Sequence, residues 1–155
     1  MIELNQTWPM PEKALPIVIF GAGSIVKDAH LPAYINSGFK VLGLYDPDLE
    51  KAKKLAQPYS IKTFLTAKEA ADHENVVFDL ATPPIAHKEI LEILPLNSGV
   101  LIQKPMGSDL REATQILSIC QDRVLKAAVN FQLRFAPMMI ALKDAIDKGL
   151  LGEIV

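Results

Sequence analysis

Short apolar runs alternate along this chain with stretches whose apolar residues recur at helical spacing. Ile17-Val18-Ile19-Phe20 follows Pro16, is mostly β-branched and stops at Gly21, which predicts a strand buried on both faces, as in a parallel sheet. Ser24 to Asn36 predicts a helix that Pro32 must kink or restart, because proline has no N–H to donate and its ring crowds the preceding turn. Phe39 to Tyr45 predicts the second strand, and Asp48 can cap the helix that follows. A weak strand at Ile61 to Phe64 and a short helix at Ala67 to Ala71 come next. Strands at Val76–Ala81, Val100–Gln103 and Leu125–Phe131 then alternate with helices at Pro84–Leu94, Asp109–Gln121 and Pro137–Lys148, with Gly149 placed as the last C-terminal cap.

Strand and helix in strict alternation predict βαβ units, and right-handed crossovers put helices on both faces of one sheet. The expected fold is therefore α/β: a Rossmann-type, doubly wound parallel sheet forming a single domain over residues 16–150. Residues 1–15 read as an irregular N-terminal arm, with Trp8 its one large apolar group for docking.

Composition narrows the partners. A length of 155 residues suits one domain with its own core, and 50% hydrophobic with 22% charged residues is an ordinary globular balance. The net charge of −2 and the lack of a Lys/Arg cluster give no support to a nucleic-acid partner. No apolar stretch reaches membrane-spanning length and the start does not resemble a signal peptide, so a cytoplasmic location is expected. The single cysteine, Cys120, excludes an internal disulfide framework and a cysteine-based zinc site, and no metal site is expected. It falls in register with Ala113, Ile116 and Leu117 on one helical face, which reads as core packing.

The chemistry sits where the first strand meets the first helix. Gly21-Ala22-Gly23-Ser24-Ile25-Val26 occupies the place of a dinucleotide fingerprint. Gly21 permits the tight turn, Gly23 lets the backbone come close to a pyrophosphate, and the helix start at Ser24 and Ile25 offers free N–H groups and a positive dipole end. Val26 departs from the Gly or Ala usual at the third position, and its bulk is expected to push the helix outward. Asp46 lies 46 − 26 = 20 residues beyond the motif, at the end of the second strand, where a carboxylate would bond the adenosine ribose hydroxyls. The alternative is a plain tight turn, with Asp46 only opening the turn Asp46-Pro47-Asp48. A carboxylate at this point repels the 2′-phosphate of NADP, and Lys51, Lys53 and Lys54 read as solvated, so NAD is the expected cofactor and NADP the less favoured one.

With these residues in view, the chain resembles the Gfo/Idh/MocA family, the glucose–fructose oxidoreductase and inositol dehydrogenase group. Five stretches in order carry the resemblance: GAGSIVKDAHLPAY with His30 to Ala33, LYDPDLEKAKKLA, DLATPPIAHKEI from Asp79 to Ile90, QKPMGSDLREA from Gln103 to Ala113, and NFQLRFAP from Asn130 to Pro137. The resemblance implies that Thr82, Pro83 and Pro84 line the cofactor, and that His87 faces cofactor or substrate rather than core or solvent. It also implies that Lys104 acts as the catalytic residue at the reacting hydroxyl, unless it is an ordinary loop lysine. Gln103 stands where the family usually has Glu and brings no charge to tune Lys104. Asn130 and Arg134 match the segment near the nicotinamide side, Arg134 having a surface salt bridge as its other reading.

Members of that family are longer than this chain, and residues 151–155 read as the start of a further α/β domain that holds the substrate pocket. The resemblance implies an NAD-dependent dehydrogenase acting on the CH–OH group of a sugar, inositol or related polyol, and a homo-oligomer. This chain alone is then expected to bind NAD without turning over substrate, and to expose an apolar face where the second domain packs. The rival is a non-catalytic NAD-binding sensor of the same family, towards which Gln103 leans.

Overall fold

The computed structural model describes residues 3–153. Within them, six parallel strands form one sheet: β1 (Ile17–Phe20), β2 (Val41–Tyr45), β3 (Lys62–Thr63), β4 (Val77–Leu80), β5 (Gly99–Gln103) and β6 (Lys126–Asn130). Their spatial order is β3-β2-β1-β4-β5-β6. The chain winds outward from β1 in one direction and then from β4 in the other, which is the doubly wound Rossmann arrangement the alternating pattern predicts. In register, Phe20 pairs with Tyr45 and with Leu80, Leu80 with Ile102, and Gln103 with Asn130. The carboxyl ends of β2, β1, β4, β5 and β6 therefore lie side by side.

The side-chain period of two sorts the strands into two cores. Val18, Phe20, Phe78, Leu80, Val100 and Ile102 point to one face, beneath residues of α3 (Ala67–Ala71), α4 (His87–Ile93) and α5 (Leu110–Asp122). Ile17, Ile19 and Leu44 point to the other, beneath Val26, Leu31 and the Ala52–Ala56 pair of α2 (Leu49–Ala56). Phe20, Phe64 and Phe78 are fully buried, each stabilising the fold by roughly 1.5–3 kcal/mol relative to exposure.

Local signals account for the helix starts. Asp48 accepts from the Lys51 N–H, Thr66 from Glu69 and Asp109 from Glu112, each capping a helix. The helix after Gly23 departs from the expected kink or restart. It runs from Ser24 without a break, but Val26–His30 adopts the wider π register before α1 (Leu31–Asn36), and the Leu31 N–H bonds to the Val26 carbonyl five residues back. This widening just ahead of Pro32 accommodates the missing donor and the ring. Val26 is itself fully buried against the second core, so its bulk is absorbed at the point where the helix widens. On α5, Ile116 and Cys120 face the core as expected, but Leu117 is half exposed, one step too far around the helix.

The described chain divides into two compact units, Ala14–Asn130 and the pair of segments Met1–Lys13 with Phe131–Val155. The first holds the whole sheet. In the second, the irregular N-terminal segment is fastened to α6 (Pro137–Asp147): the Asn5 N–H donates to Asp144 Oδ2 at 2.8 Å, and Lys148 Nζ donates to the Glu3 carbonyl at 2.9 Å. Trp8 meets Phe135 edge-on at 5.2 Å between ring centroids. Gly149 ends α6 with φ +69°, as a C-terminal cap requires. Of the residues 151–155 read as opening a further domain, 154 and 155 lie outside the described residues. Among the described residues no helix is long and apolar enough to cross a membrane.

Candidate functional site

A cleft of about 800 Å³ opens at the carboxyl ends of β1, β2, β4 and β5. It lies where the winding direction reverses between β1 and β4, the place at which open α/β sheets take ligands. Its volume falls in the range of roughly 300–1,000 Å³ typical of small-molecule sites.

The floor is the glycine turn. Gly21 has φ +108°, and its N–H bonds to the Tyr45 carbonyl at 2.7 Å. A Cβ built there would lie 2.4 Å from the Ala81 carbonyl oxygen, so β1 and β4 close on each other only because Gly21 has no side chain. Gly23 is different: a Cβ there meets nothing within 4 Å and would project into open space. Lys27 N–H is bonded to the Gly23 carbonyl at 3.1 Å. By helix geometry the N–H groups of Ser24, Ile25 and Val26 before it have no helical carbonyl to bond. Gly21, Gly23, Ser24 and Ile25 all line the cleft.

Asp46 forms the second wall. It is buried, with Oδ2 accepting from the Ala22 N–H at 2.8 Å and Oδ1 from the Asp48 N–H at 2.9 Å. The carboxylate thus ties the end of β2 to the glycine turn, besides lining the cleft. Lys51 is half exposed, in keeping with the solvated reading, but it also lines the cleft with its Nζ 3.9 Å from Asp46 Oδ2, whereas Lys53 turns away to Glu50 at 2.7 Å. One turn of α2 returns Lys51 to the strand end that Asp46 occupies, and that spacing was the available signal.

Thr82 and Pro83 line the opposite wall at the end of β4. Thr82 Oγ1 is buried with no hydrogen-bond partner in the protein, a polar atom that a ligand would satisfy. Gln103 closes the β5 end; its Oε1 accepts from the Lys104 N–H at 2.9 Å, which leaves its NH₂ end untied. The apolar lining from Ala86, Ile90 and Ile93 was not singled out from the sequence, where these residues read only as part of the helix expected over Pro84–Leu94.

Five expected site residues are not among those that line this cleft. Pro84 opens the short 3₁₀ turn before α4. His87 is fully buried, with Nε2 3.1 Å from the Thr82 carbonyl and Nδ1 3.3 Å from the Met106 carbonyl. It braces the loops after β4 and β5 rather than facing a ligand. Lys104 is exposed just beyond Gln103, and the Lys104–Pro105 peptide is cis. Asn130 is the register partner of Gln103 at the end of β6, and its Nδ2 lies 3.2 Å from His30 Nε2. Arg134 belongs to the other compact unit, exposed in the 3₁₀ turn Gln132–Phe135.

The comparisons with known proteins agree with this geometry. The Gfo/Idh/MocA family model, described as "Oxidoreductase family, NAD-binding Rossmann fold", matches residues 15–131. Inositol 2-dehydrogenase of Rhizobium meliloti is 27% identical over 139 residues, covering 88% of this chain and 42% of the relative. Glucose-6-phosphate 3-dehydrogenase of Bacillus subtilis is 29% identical over 141 residues, covering 90% and 40%. Among solved structures, a super-repressor mutant of Gal80p from Saccharomyces cerevisiae shares the fold with a TM-score of 0.78 at 20% identity, covering 92% of this chain and 40% of the other. The chain thus spans less than half the length of these relatives. A glycine turn and a strand-end aspartate at the switch point of a 3-2-1-4-5-6 sheet, with the family model matched across that whole sheet, lead to one conclusion: the chain belongs to the Gfo/Idh/MocA oxidoreductase family, as its NAD-binding Rossmann domain.

Proposed function

We propose that the cleft holds NAD(H) for hydride exchange with the CH–OH carbon of a sugar, inositol or related polyol. The observation that carries this reading is the pairing of an open Gly23 with unbonded helix-start amides, opposite a buried Asp46 and the orphaned Thr82 hydroxyl. Ser24 and Ile25 amides receive the pyrophosphate, Asp46 the adenosine ribose, and Thr82 and Gln103 the side towards the nicotinamide. When bound, the cofactor supplies the hydride acceptor. Lys104, beyond Gln103, would hydrogen-bond the reacting hydroxyl. Substrate turnover needs the reacting carbon held against the cofactor and a positioned base. No catalytic histidine faces this cleft among the described residues, so the chain alone binds cofactor without turnover.

NAD preference follows from Asp46, and Lys51 sets how strong it is. The carboxylate disfavours a 2′-phosphate, while the ammonium 3.9 Å away offsets part of that repulsion. At such a spacing one unit charge is worth roughly 1–4 kcal/mol, depending on local screening. Titration should therefore give tighter NADH than NADPH binding in the unmodified chain. Asp46→Asn should weaken NADH about tenfold and strengthen NADPH, and adding Lys51→Ala should abolish the NADPH gain, with thermal unfolding as the control for folding. NADPH binding clearly tighter than NADH before any substitution would overturn the assignment.

A second reading, a non-catalytic sensor that binds the dinucleotide without redox chemistry, is favoured by Gln103 alone. Substrate-dependent NAD reduction by the full-length protein separates the two.

A further inference from the structure

The end of β5 carries a side chain whose orientation the main chain settles. Gln103 is only 8% exposed, and it lines the cleft. Its Oε1 accepts from the Lys104 N–H at 2.9 Å. A backbone N–H can only donate, so the amide oxygen must face it; turning the amide over would set donor against donor. The NH₂ end has no hydrogen-bond partner among the described residues. Unlike Thr82 Oγ1 it is not sealed from solvent, so its N–H donors open to the cleft that the residue lines.

Few negative charges reach this point. Its neighbours across the sheet, Asn130 on β6 and Ala81 after β4, are uncharged, and the next residue is the exposed Lys104. Asp79 pairs with Leu101, two residues before Gln103 and on the same sheet face. That carboxylate is 1% exposed and already engaged, with His30 Nδ1 2.7 Å from Oδ2 and the Tyr34 hydroxyl donating to the same oxygen at 2.9 Å. Burial, and next the Asp79 charge, hold the Tyr34 phenol well above its ordinary range, so it remains a donor. Of the acids that line the cleft, Glu89 stands exposed on α4, and Asp46 ends β2, three strand spacings or roughly 14 Å from β5. The β5 end therefore meets a ligand with N–H donors and no carboxylate of its own.

We infer that Gln103 is a specificity-determining residue that favours the reduced, uncharged nicotinamide over the oxidised cation. On the dinucleotide reading above, on which this rests, ribose at Asp46 and pyrophosphate at the glycine turn leave the β5 end to the nicotinamide half. The oxidised ring carries a full positive charge, which a carboxylate at this point would attract and outward-facing N–H groups do not. Within a protein cleft such a charge acts over several ångströms far more strongly than in bulk water. The dihydronicotinamide has no charge to lose by meeting an amide. The site then fills with NADH against an excess of NAD⁺, which suits ketone reduction or NADH sensing more than alcohol oxidation.

Gln103→Glu tests this with near-identical shape, because a carboxylate can keep the Lys104 N–H on one oxygen and turn the other to the cleft. NADH is titrated by fluorescence, and NAD⁺ and ADP-ribose by its displacement; ADP-ribose carries the same diphosphate without a nicotinamide. Measurements at about pH 7 and about pH 9 ensure that a carboxyl in so buried a place is ionised in at least one of them. The unmodified chain should bind NADH more tightly than NAD⁺. Gln103→Glu should shrink that gap about tenfold once ionised, with NADH and ADP-ribose changing alike and NAD⁺ gaining on both. Gln103→Met, uncharged and of similar length, should keep the NAD⁺ to NADH ratio within about threefold of the unmodified chain. If Gln103→Glu does not fold, the unmodified chain decides: its Gln103 side-chain ¹⁵N signal should shift with NADH and stay with ADP-ribose. NAD⁺ bound as tightly as NADH by the unmodified chain, or a Gln103→Met shift as large as that of Gln103→Glu, overturns the inference. If Gln103→Glu moves all three ligands in step at both pH values, or the side-chain signal answers both ligands equally, the inference falls while the adenosine half of the reading stands. Binding of none of the three overturns the dinucleotide reading and this inference together.

Discussion

Gly21→Ala is expected to destabilise the fold by about 3 kcal/mol, from a backbone conformation that L-residues rarely adopt and from forced displacement in a packed sheet. The added methyl would start 2.4 Å from the Ala81 carbonyl oxygen, and backbone cannot swing aside as a flexible side chain does. Any relief must separate β1 from β4, whose ends are held there by the Ala81 N–H bond to the Phe20 carbonyl at 2.9 Å. These two strands are the centre of the sheet, so the strain falls on both cores. For a chain of this size the loss corresponds to a fall of about 10 °C in Tm, readable by calorimetry. An unchanged Tm would mean that the turn does not take the positive φ on which the close strand approach depends.

Gly23→Val should do the opposite, leaving the fold intact and removing the ligand. No atom lies within 4 Å of a Cβ at this position and its φ is not in the left-handed region, so stability should stay within about 1 kcal/mol of the unmodified chain. A valine projecting over the helix start would hold a pyrophosphate away from the Ser24 and Ile25 amides. Losing two hydrogen bonds to a charged group costs roughly 3 kcal/mol, which is about a hundredfold in NADH affinity. Fluorescence titration with NADH, run beside thermal unfolding, checks both halves. A stable variant that binds NADH as well as the parent would show that Gly23 is not where the phosphates approach. The contrast between the two glycines matters because a merely structural turn would need both equally.

Much of the fold is legible in sequence because parallel strands buried on both faces leave short β-branched runs, and Ile17–Phe20 and Val76–Ala81 are such runs. The Asp48 cap is readable for the same local reason, since it lies immediately before helical spacing begins, whereas Asp109 reads as the first helical residue and is the cap instead. β3 is harder, being only two residues of an edge strand, one of them the exposed Lys62. Pro32 announces a disturbance, but local sequence does not choose between a kink and a widened turn, which depends on what packs beneath Val26.

The site divides along the same line. Gly21, Gly23 and Asp46 are legible because their roles rest on backbone geometry at a fixed distance from one motif. His87, Lys51 and Asp79 depend on which way a side chain turns in the assembled fold. His87 reads as equally suited to core or ligand until two carbonyls claim its ring. Asp79 carried a signal that was available, an acid inside an apolar run read as a buried strand, yet its partners His30 and Tyr34 are 49 and 45 residues away. Only the sheet brings them together.

Cofactor binding depends most heavily on the helix start after Gly23 acting as a diphosphate cradle. Titration of the ¹⁵N-labelled chain with NADH, following every backbone amide, tests this most directly. The account predicts saturable binding with the largest amide shifts at Gly23, Ser24 and Ile25, smaller ones at Ala22 and Thr82, and little change across α5. Shifts that fail to saturate, or that cluster away from the glycine turn, would contradict it.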